Sequence, residues 1–161
     1  MDILALDLAS KTGWCIIRDG RILESGVQDW TKKRGETNGL LFLRARRWLN
    51  DISAVAGRTP DLVAYEQAHY RGGAATEICV GLQTRAQEVA AQWGVESAPV
   101  ATGTLKKWAT GSGAADKSEM MAYAEVHLGR APLDDNEADA VAVGLWAWEQ
   151  FGQATNREVP T

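Results

Sequence analysis

Histidine and cysteine are scarce in this chain, two of each among 161 residues, and that scarcity excludes a zinc site built on nitrogen and sulfur ligands. Cys15 and Cys79 sit in apolar stretches without a partner at metal-ligand spacing and read as buried free thiols. His69 and His127 lie far apart. Any metal here must be held mainly by oxygen. Long apolar runs are missing as well, and none approaches the roughly 18–20 residues of a membrane helix. Met1 and Asp2 lead straight into a short strand-like run, so the chain reads as soluble and cytoplasmic, with no membrane partner. Nor is there an excess of basic residues. The net charge of −4 argues against nucleic acid, because proteins that bind it usually carry a basic surface.

What is present qualifies that last exclusion. Lys32, Lys33 and Arg34 cluster, as do Arg44, Arg46 and Arg47, and Lys106 stands beside Lys107. The acids concentrate in Asp134, Asp135, Glu137 and Asp139. An acidic pocket that takes up divalent cations reverses its local sign. At 45% hydrophobic and 24% charged residues, with a length that supports one core but not two, the chain predicts a single domain over 1–151. Residues 152–161 are polar and aperiodic and read as a flexible tail.

Ile3-Leu4-Ala5-Leu6 is a short apolar run ending at Asp7, the form of a buried central strand. A turn-like stretch, Ser10-Lys11-Thr12-Gly13, leads to a second strand at Trp14-Cys15-Ile16-Ile17. Asp19-Gly20 is a hairpin signal, and residues 21–28 return as a third strand. Over 38–56, Leu41, Ala45, Trp48, Leu49 and Ile52 recur at helical spacing, and Gly57 and Pro60 end that helix. Leu62-Val63-Ala64-Tyr65 is a fourth strand that delivers Glu66 at its end. A polar, glycine-rich loop precedes a helix over 75–93, a fifth strand over 95–100 and a short helix over 105–109. A glycine-containing loop and helices at 117–128 and 136–150 complete the chain. This order predicts an α/β fold with a mixed five-stranded sheet flanked by helices. It matches the RNase H-like layout, and several other α/β folds would serve it nearly as well.

The acids carry the chemistry. Asp7 and Glu66 end apolar strands, and Asp139 lies among Ala138, Ala140, Val141 and Ala142 in a helix. A buried charge is expensive without a partner. If the first and fourth strands are neighbours, Asp7 and Glu66 emerge side by side, and a helix across the sheet can aim Asp139 at the same spot. Asp135, one turn earlier, can face the same way. Such an oxygen cage suits Mg²⁺ or Mn²⁺, and two ions about 3.5–4 Å apart are a known device for phosphodiester hydrolysis. Each acid also has a plainer reading. Asp7 can bond turn amides, Glu66 can pair with an arginine, and Asp134 and Asn136 can belong to a helix N-terminus.

At these residues the chain resembles the RuvC-type Holliday junction resolvases, in a divergent form like those of phages and prophages. The resemblance runs from about residue 2 to residue 150 and rests on four stretches in order: ALDLASKTGW, LVAYEQAHYRGG, LKKWATGSGAADKSEM and NEADAVAVGLW. It implies an RNase H-like fold and a Mg²⁺-dependent endonuclease, also active with Mn²⁺, that cuts branched DNA symmetrically with two ions per site. It implies Asp7, Glu66 and Asp139 as metal ligands. The family's fourth ligand position, three residues before the last aspartate, is here Asn136, so either Asn136 binds through its carbonyl oxygen or Asp135 takes its place. Lys106 and Lys117 match lysines near the scissile phosphate, and Lys107 reads as a DNA or solvent contact. His69 and Tyr70 match the family's junction wedge, where a ring stacks on an unpaired base, and Arg71 beside them reads as a phosphate contact.

The resemblance further implies a homodimer, since two symmetric cuts need two related sites. The helix over 75–93, with Ile78, Leu82 and Val89, supplies either that interface or core packing. Trp48, Trp146 and Trp148 read as packing, while Trp30 and Trp108 are the ones to test for exposure. Other readings are a nuclease of the same superfold acting on forks, flaps or RNA–DNA hybrids, and a non-catalytic junction-binding protein. A sugar-kinase or actin-like ATPase needs two such domains.

Overall fold

Alternation along the central strands decides how the sheet is covered. In the computed structural model, which describes residues 1–70 and 72–152, Ile3, Ala5 and Ile17 enter one hydrophobic cluster, and Leu4, Leu6 and Ile16 enter another. Successive side chains of a strand point to opposite faces, so a sheet with both faces apolar must sit between two layers of helices. The strands are β1 (Asp2–Asp7), β2 (Lys11–Arg18), β3 (Arg21–Asp29), β4 (Leu62–Glu66) and β5 (Glu96–Val100). Their order is β3-β2-β1-β4-β5. The first three form an antiparallel meander, and β4 and β5 run parallel to β1, which gives the mixed five-stranded sheet expected.

Two helices, α1 (Asn38–Ala56) and α2 (Gly73–Trp93), cover one face with Leu41, Leu49, Leu82 and Val89. On the other face lie α3 (Thr102–Thr110), α4 (Lys117–Leu128) and α5 (Asp135–Ala147). Side chains cap the starts of three helices. Thr37 accepts from the Leu40 amide, Asp116 forms a capping box with Glu119, and Asp134 accepts from the Glu137 amide. Asp134 is therefore a helix cap, as its plainer reading has it. Because Leu82 and Val89 belong to the core and Ile78 packs against it, the apolar face of α2 serves packing.

Several expectations are corrected. Lys11-Thr12-Gly13 is strand rather than turn, because it pairs with Val27, Gln28 and Asp29. The last helix stops at Ala147 and passes into a π turn, Trp148–Gly152, so Gly152 belongs to ordered structure. Trp30 is buried, its indole N–H donating to the Thr12 hydroxyl at 2.9 Å. Trp108 is half-buried against the core, edge-on to Tyr123 at 5.8 Å between ring centroids. Arg71 and residues 153–161, which include most of the expected tail, lie outside the described residues. Among the described residues no helix is long and apolar enough to cross a membrane.

Candidate active site

Strand ends place the first two carboxylates. β1 and β4 are parallel neighbours, with Leu6 opposite Tyr65, so Asp7 and Glu66 leave the same edge of the sheet together. The crevice beyond the carboxyl ends of parallel strands is where α/β sheets bind ligands. The third contributor is α5, brought there by a glycine. Gly13 is the register partner of Asp7 on β2, and a Cβ built on it would stand 1.8 Å from the Asn136 carbonyl oxygen. Only the missing side chain lets the first turn of α5 lie against β2 at that point. Asp135 and Asp139 then face the strand ends. Asp7, Glu66, Asp135, Asn136 and Asp139 all line one cleft of about 430 Å³.

The electrostatics are those of carboxylates crowded together. Burial pushes Asp7 well above the usual carboxylate range, and the charges of Glu66, Asp139 and Asp135 push it further. Burial, then Glu66 and Asp135, raise Asp139 to about 7, while Lys106 and Lys117 oppose the rise. Among the described residues neither Asp7 nor Asp139 has a hydrogen-bonding or ion-pair partner for its side chain. Lys117 meets Asp135 at 2.5 Å, and Thr102 donates to Glu66. Among the described residues no three His, Cys, Asp or Glu side chains form a ready-made cage. The donor chemistry nonetheless fits a hard divalent cation. Among the described residues that line the cleft, Asp7, Glu66, Asp135 and Asp139 are carboxylates, and a cation would relieve the repulsion that raises two of them.

The remaining expected residues divide. Lys106 is half-buried and acts on Asp139, whereas Lys107 is exposed and enters none of these interactions. His69 and Tyr70 are exposed on the loop between β4 and α2, but His69 Nε2 contacts the Thr102 hydroxyl at 2.7 Å. The Asn136 amide donates to Asp134 at 3.1 Å, which leaves its carbonyl oxygen as the atom it can offer a cation. Cys15 is buried as expected, but Cys79 is half-buried on the wall of the cleft. Burial and Asp7 raise the Cys79 thiol.

Sequence reasoning missed two supporting groups. Glu137 looked like one more acid of a helix start, yet its side chain is fully buried. It accepts from Arg130 at 2.6 Å, from Ser25 at 2.6 Å and from the Leu133 amide at 2.6 Å. Burial drives its carboxyl up, but these donors outweigh burial and hold it below the usual range. Glu137 thereby straps the start of α5 to β3. Its place at the start of a helix that is otherwise largely apolar, Ala138 and residues 140–145, was the one signal available. Thr102 is the second, and no local pattern marked it.

A wider depression of about 700 Å³ lies between β3 and the end of α4, lined by Arg21, His127 and Arg130 among others. It contains none of the clustered carboxylates, so the chemistry belongs to the smaller cleft.

Comparison with known proteins agrees with this geometry. No family model matches the chain. Crossover junction endodeoxyribonuclease RuvC of Halorhodospira halophila is 31% identical over 147 residues, covering 89% of this chain and 87% of that protein. The Thermus thermophilus RuvC structure aligns with a TM-score of 0.76 at 21% identity, over 94% of this chain and 97% of that one. T. thermophilus RuvC in complex with Holliday junction substrate gives the same score and identity over 90% of this chain and 91% of that one. The likeness establishes the fold as RNase H-like.

Proposed function

The chain belongs to the RuvC family of crossover junction endodeoxyribonucleases, and on that premise we propose that it resolves Holliday junctions by paired, symmetric phosphodiester hydrolysis. The observation that carries this reading is the convergence of Asp7, Glu66, Asp135 and Asp139, from two strand ends and one helix, on a single cleft. Membership implies dependence on a divalent metal. We assign its binding to Asp7, Glu66, Asp135 and Asp139, with Asn136 as a neutral oxygen donor, and name Mg²⁺ or Mn²⁺, two ions per site. Bound there, the metal supplies an activated water and stabilises charge on the leaving oxygen.

The chain's own residues do the rest. Lys117, whose side chain is 81% exposed, pairs with Asp135 and places its ammonium at the mouth of the site, where it would meet a phosphate of the DNA. Lys106 holds positive charge beside Asp139, where the scissile phosphate must lie. Lys107, exposed on α3, serves as an outlying contact to the DNA backbone. Two cuts placed symmetrically require two such sites, so the active species is a homodimer. It works in the cytoplasm, with its DNA.

The test uses a labelled four-way junction able to branch-migrate, a splayed fork and plain duplex, in Mg²⁺ and in Ca²⁺, with Asp7→Asn as control. Paired symmetric nicks confined to the junction, present with Mg²⁺ and absent from the variant, are expected. Equal cutting of forks would make the protein a broader nuclease of the superfold. Junction binding without cutting, even in Mn²⁺, would leave only a binding module.

A further expectation concerns the loop after β3. The Trp30 amide donates to the Ser10 carbonyl at 2.8 Å, which ties this loop to the β1–β2 turn beside the cleft. Beyond that anchor Lys32, Lys33 and Arg34 are exposed, and none is ion-paired among the described residues. Glu36 closes the turn by accepting from the Lys33 amide at 2.8 Å. Three unpaired cations so placed fit the phosphates of a duplex arm. Replacing all three with alanine is expected to flatten the plot of log affinity against log salt by up to about 0.9 per lost phosphate contact. An unchanged slope would remove this loop from the DNA surface.

A further inference from the structure

Three successive residues of the loop after β4 are tied to the protein. The Gln67 amide donates to the Val100 carbonyl at 2.8 Å, and the Ala68 amide donates to the buried Gln83 side chain at 3.1 Å. The His69 ring then meets Thr102 at 2.7 Å. Tyr70 follows, 69% exposed. Thr102 lies in the first turn of α3, and its hydroxyl also reaches Glu66.

Proton bookkeeping orients this chain of contacts. A threonine hydroxyl has one proton to donate, and a carboxylate can only accept. The Thr102 proton therefore goes to Glu66, and the contact with His69 must be made by a proton on Nε2. His69 is thus the Nε2–H tautomer, donating to Thr102, which donates to Glu66. His127 supplies a contrast within the same chain. Its Nδ1 faces the Tyr123 carbonyl at 2.9 Å, and a carbonyl accepts, so His127 is the Nδ1–H tautomer.

We propose that Thr102 and His69 are positioning residues for the Glu66 carboxylate, and that Tyr70, not His69, is the ring offered to DNA. The assignment of Glu66 to metal binding rests on the function proposed above. A hydrogen bond that fixes a ligating carboxylate limits its rotation before the cation arrives, and loss of such a partner typically weakens metal binding about 10–100-fold. The bond to Thr102 fixes the orientation of the His69 ring, whereas the Tyr70 side chain, 69% exposed, follows these three ties and carries no such bond among the described residues.

The experiment has three arms on the full chain. Nitrogen-15 NMR of the metal-free protein at pH 8, with His127→Gln to assign the two signals, should show His69 as Nε2–H and His127 as Nδ1–H. Calorimetric titration with Mn²⁺ alone should show about tenfold weaker binding by Thr102→Val, recovery in Thr102→Ser, a smaller loss in His69→Ala and none in Tyr70→Ala. Junction binding in chelator should fall at least about fivefold in Tyr70→Ala and stay near wild type in Thr102→Val. At saturating Mn²⁺ the Thr102→Val enzyme should regain kcat, with KM for the junction unchanged.

An Nδ1–H tautomer at His69, or wild-type Mn²⁺ affinity in Thr102→Val, would overturn the positioning role. Loss of junction affinity in His69→Ala with Mn²⁺ binding intact would return the wedge to His69. If the wild-type protein neither binds Mn²⁺ nor cuts the junction, the functional reading fails instead. The tautomers, read without metal, still decide whether the relay exists.

Discussion

Asp139→Asn is expected to abolish cleavage and, in the same protein, to raise the melting temperature measured in chelator. Asp139 is half-buried and among the described residues has no ion-pair or hydrogen-bond partner, and Glu66 and Asp135 repel it. The loss of activity should be about a thousandfold or more, since a metal ligand underlies several kcal/mol of transition-state stabilisation. The gain in stability has the opposite origin. A carboxyl raised to about 7 in the folded protein holds its proton more tightly there than in the unfolded chain. The folded state is therefore penalised progressively as pH rises from about 4, the unfolded value, to about 7, and the full penalty persists above that. Asparagine carries no such penalty. At pH 8 without metal the variant should be more stable by about 1–2 kcal/mol, which is several degrees for a domain of this size. At pH 4 the two proteins should melt together, and excess Mg²⁺ at pH 8 should lift the wild type alone. Thermal melts at both pH values, with chelator and with Mg²⁺, read all of this. A variant less stable than wild type at pH 8 in chelator would contradict the picture of a site held under electrostatic strain for function.

Gly13→Ala should be the most damaging small substitution at the site's edge. The added methyl would stand 1.8 Å from the Asn136 carbonyl oxygen, 2.2 Å from its carbon and 2.8 Å from the Glu137 nitrogen. All three are backbone atoms. Neither side can yield cheaply. Gly13 is held in the ladder between Asp7 and Val27, and the start of α5 is held by the Asp134 cap and by Glu137 on Arg130 and Ser25. The helix start must move outward, and it carries Asp135 and Asp139 with it. A cost of about 3 kcal/mol or more is expected, at the upper end of overpacking effects, with a melting temperature lower by roughly 6–12 °C. Mn²⁺ affinity should fall together with cleavage. Gly103→Ala is the matched control, since nothing lies within 4 Å of its added methyl and alanine favours a helix. Equal stability of the two variants would mean that α5 does not approach β2 as described.

These two expectations differ in how far they were visible beforehand. The carboxylates of the cleft were legible because each sits in a short, locally readable context. Asp7 and Glu66 close apolar strand runs, and Asp139 interrupts an apolar helix. Helix α1 was legible to its ends, since its stripe and its terminal glycine are local signals. The scarcity of histidine and cysteine is the whole basis for expecting oxygen ligands for any metal.

What only the tertiary structure decided are the contacts between segments far apart in the chain. Gly13 read as part of a turn because glycine, serine and threonine look alike in strands that end near a site and in turns. Its task, admitting the backbone of Asn136, depends on a helix more than a hundred residues away. Glu137 read as one of a run of helix-start acids, and its burial on Ser25 and Arg130 appears only once β3 and α5 are packed. Asp2, fully buried between Arg18 and Arg58, gave no sign of that role. Trp30, a residue to test for exposure, is buried with its indole on Thr12, and the His69 ring contacts Thr102; neither tie to another element is signalled locally. Periodicity and strand-end chemistry are written in neighbouring residues, so the sequence determined the elements and the acids they carry. Which backbones meet and which charges are paired follow from close packing between distant segments, and that packing exists only in the folded chain.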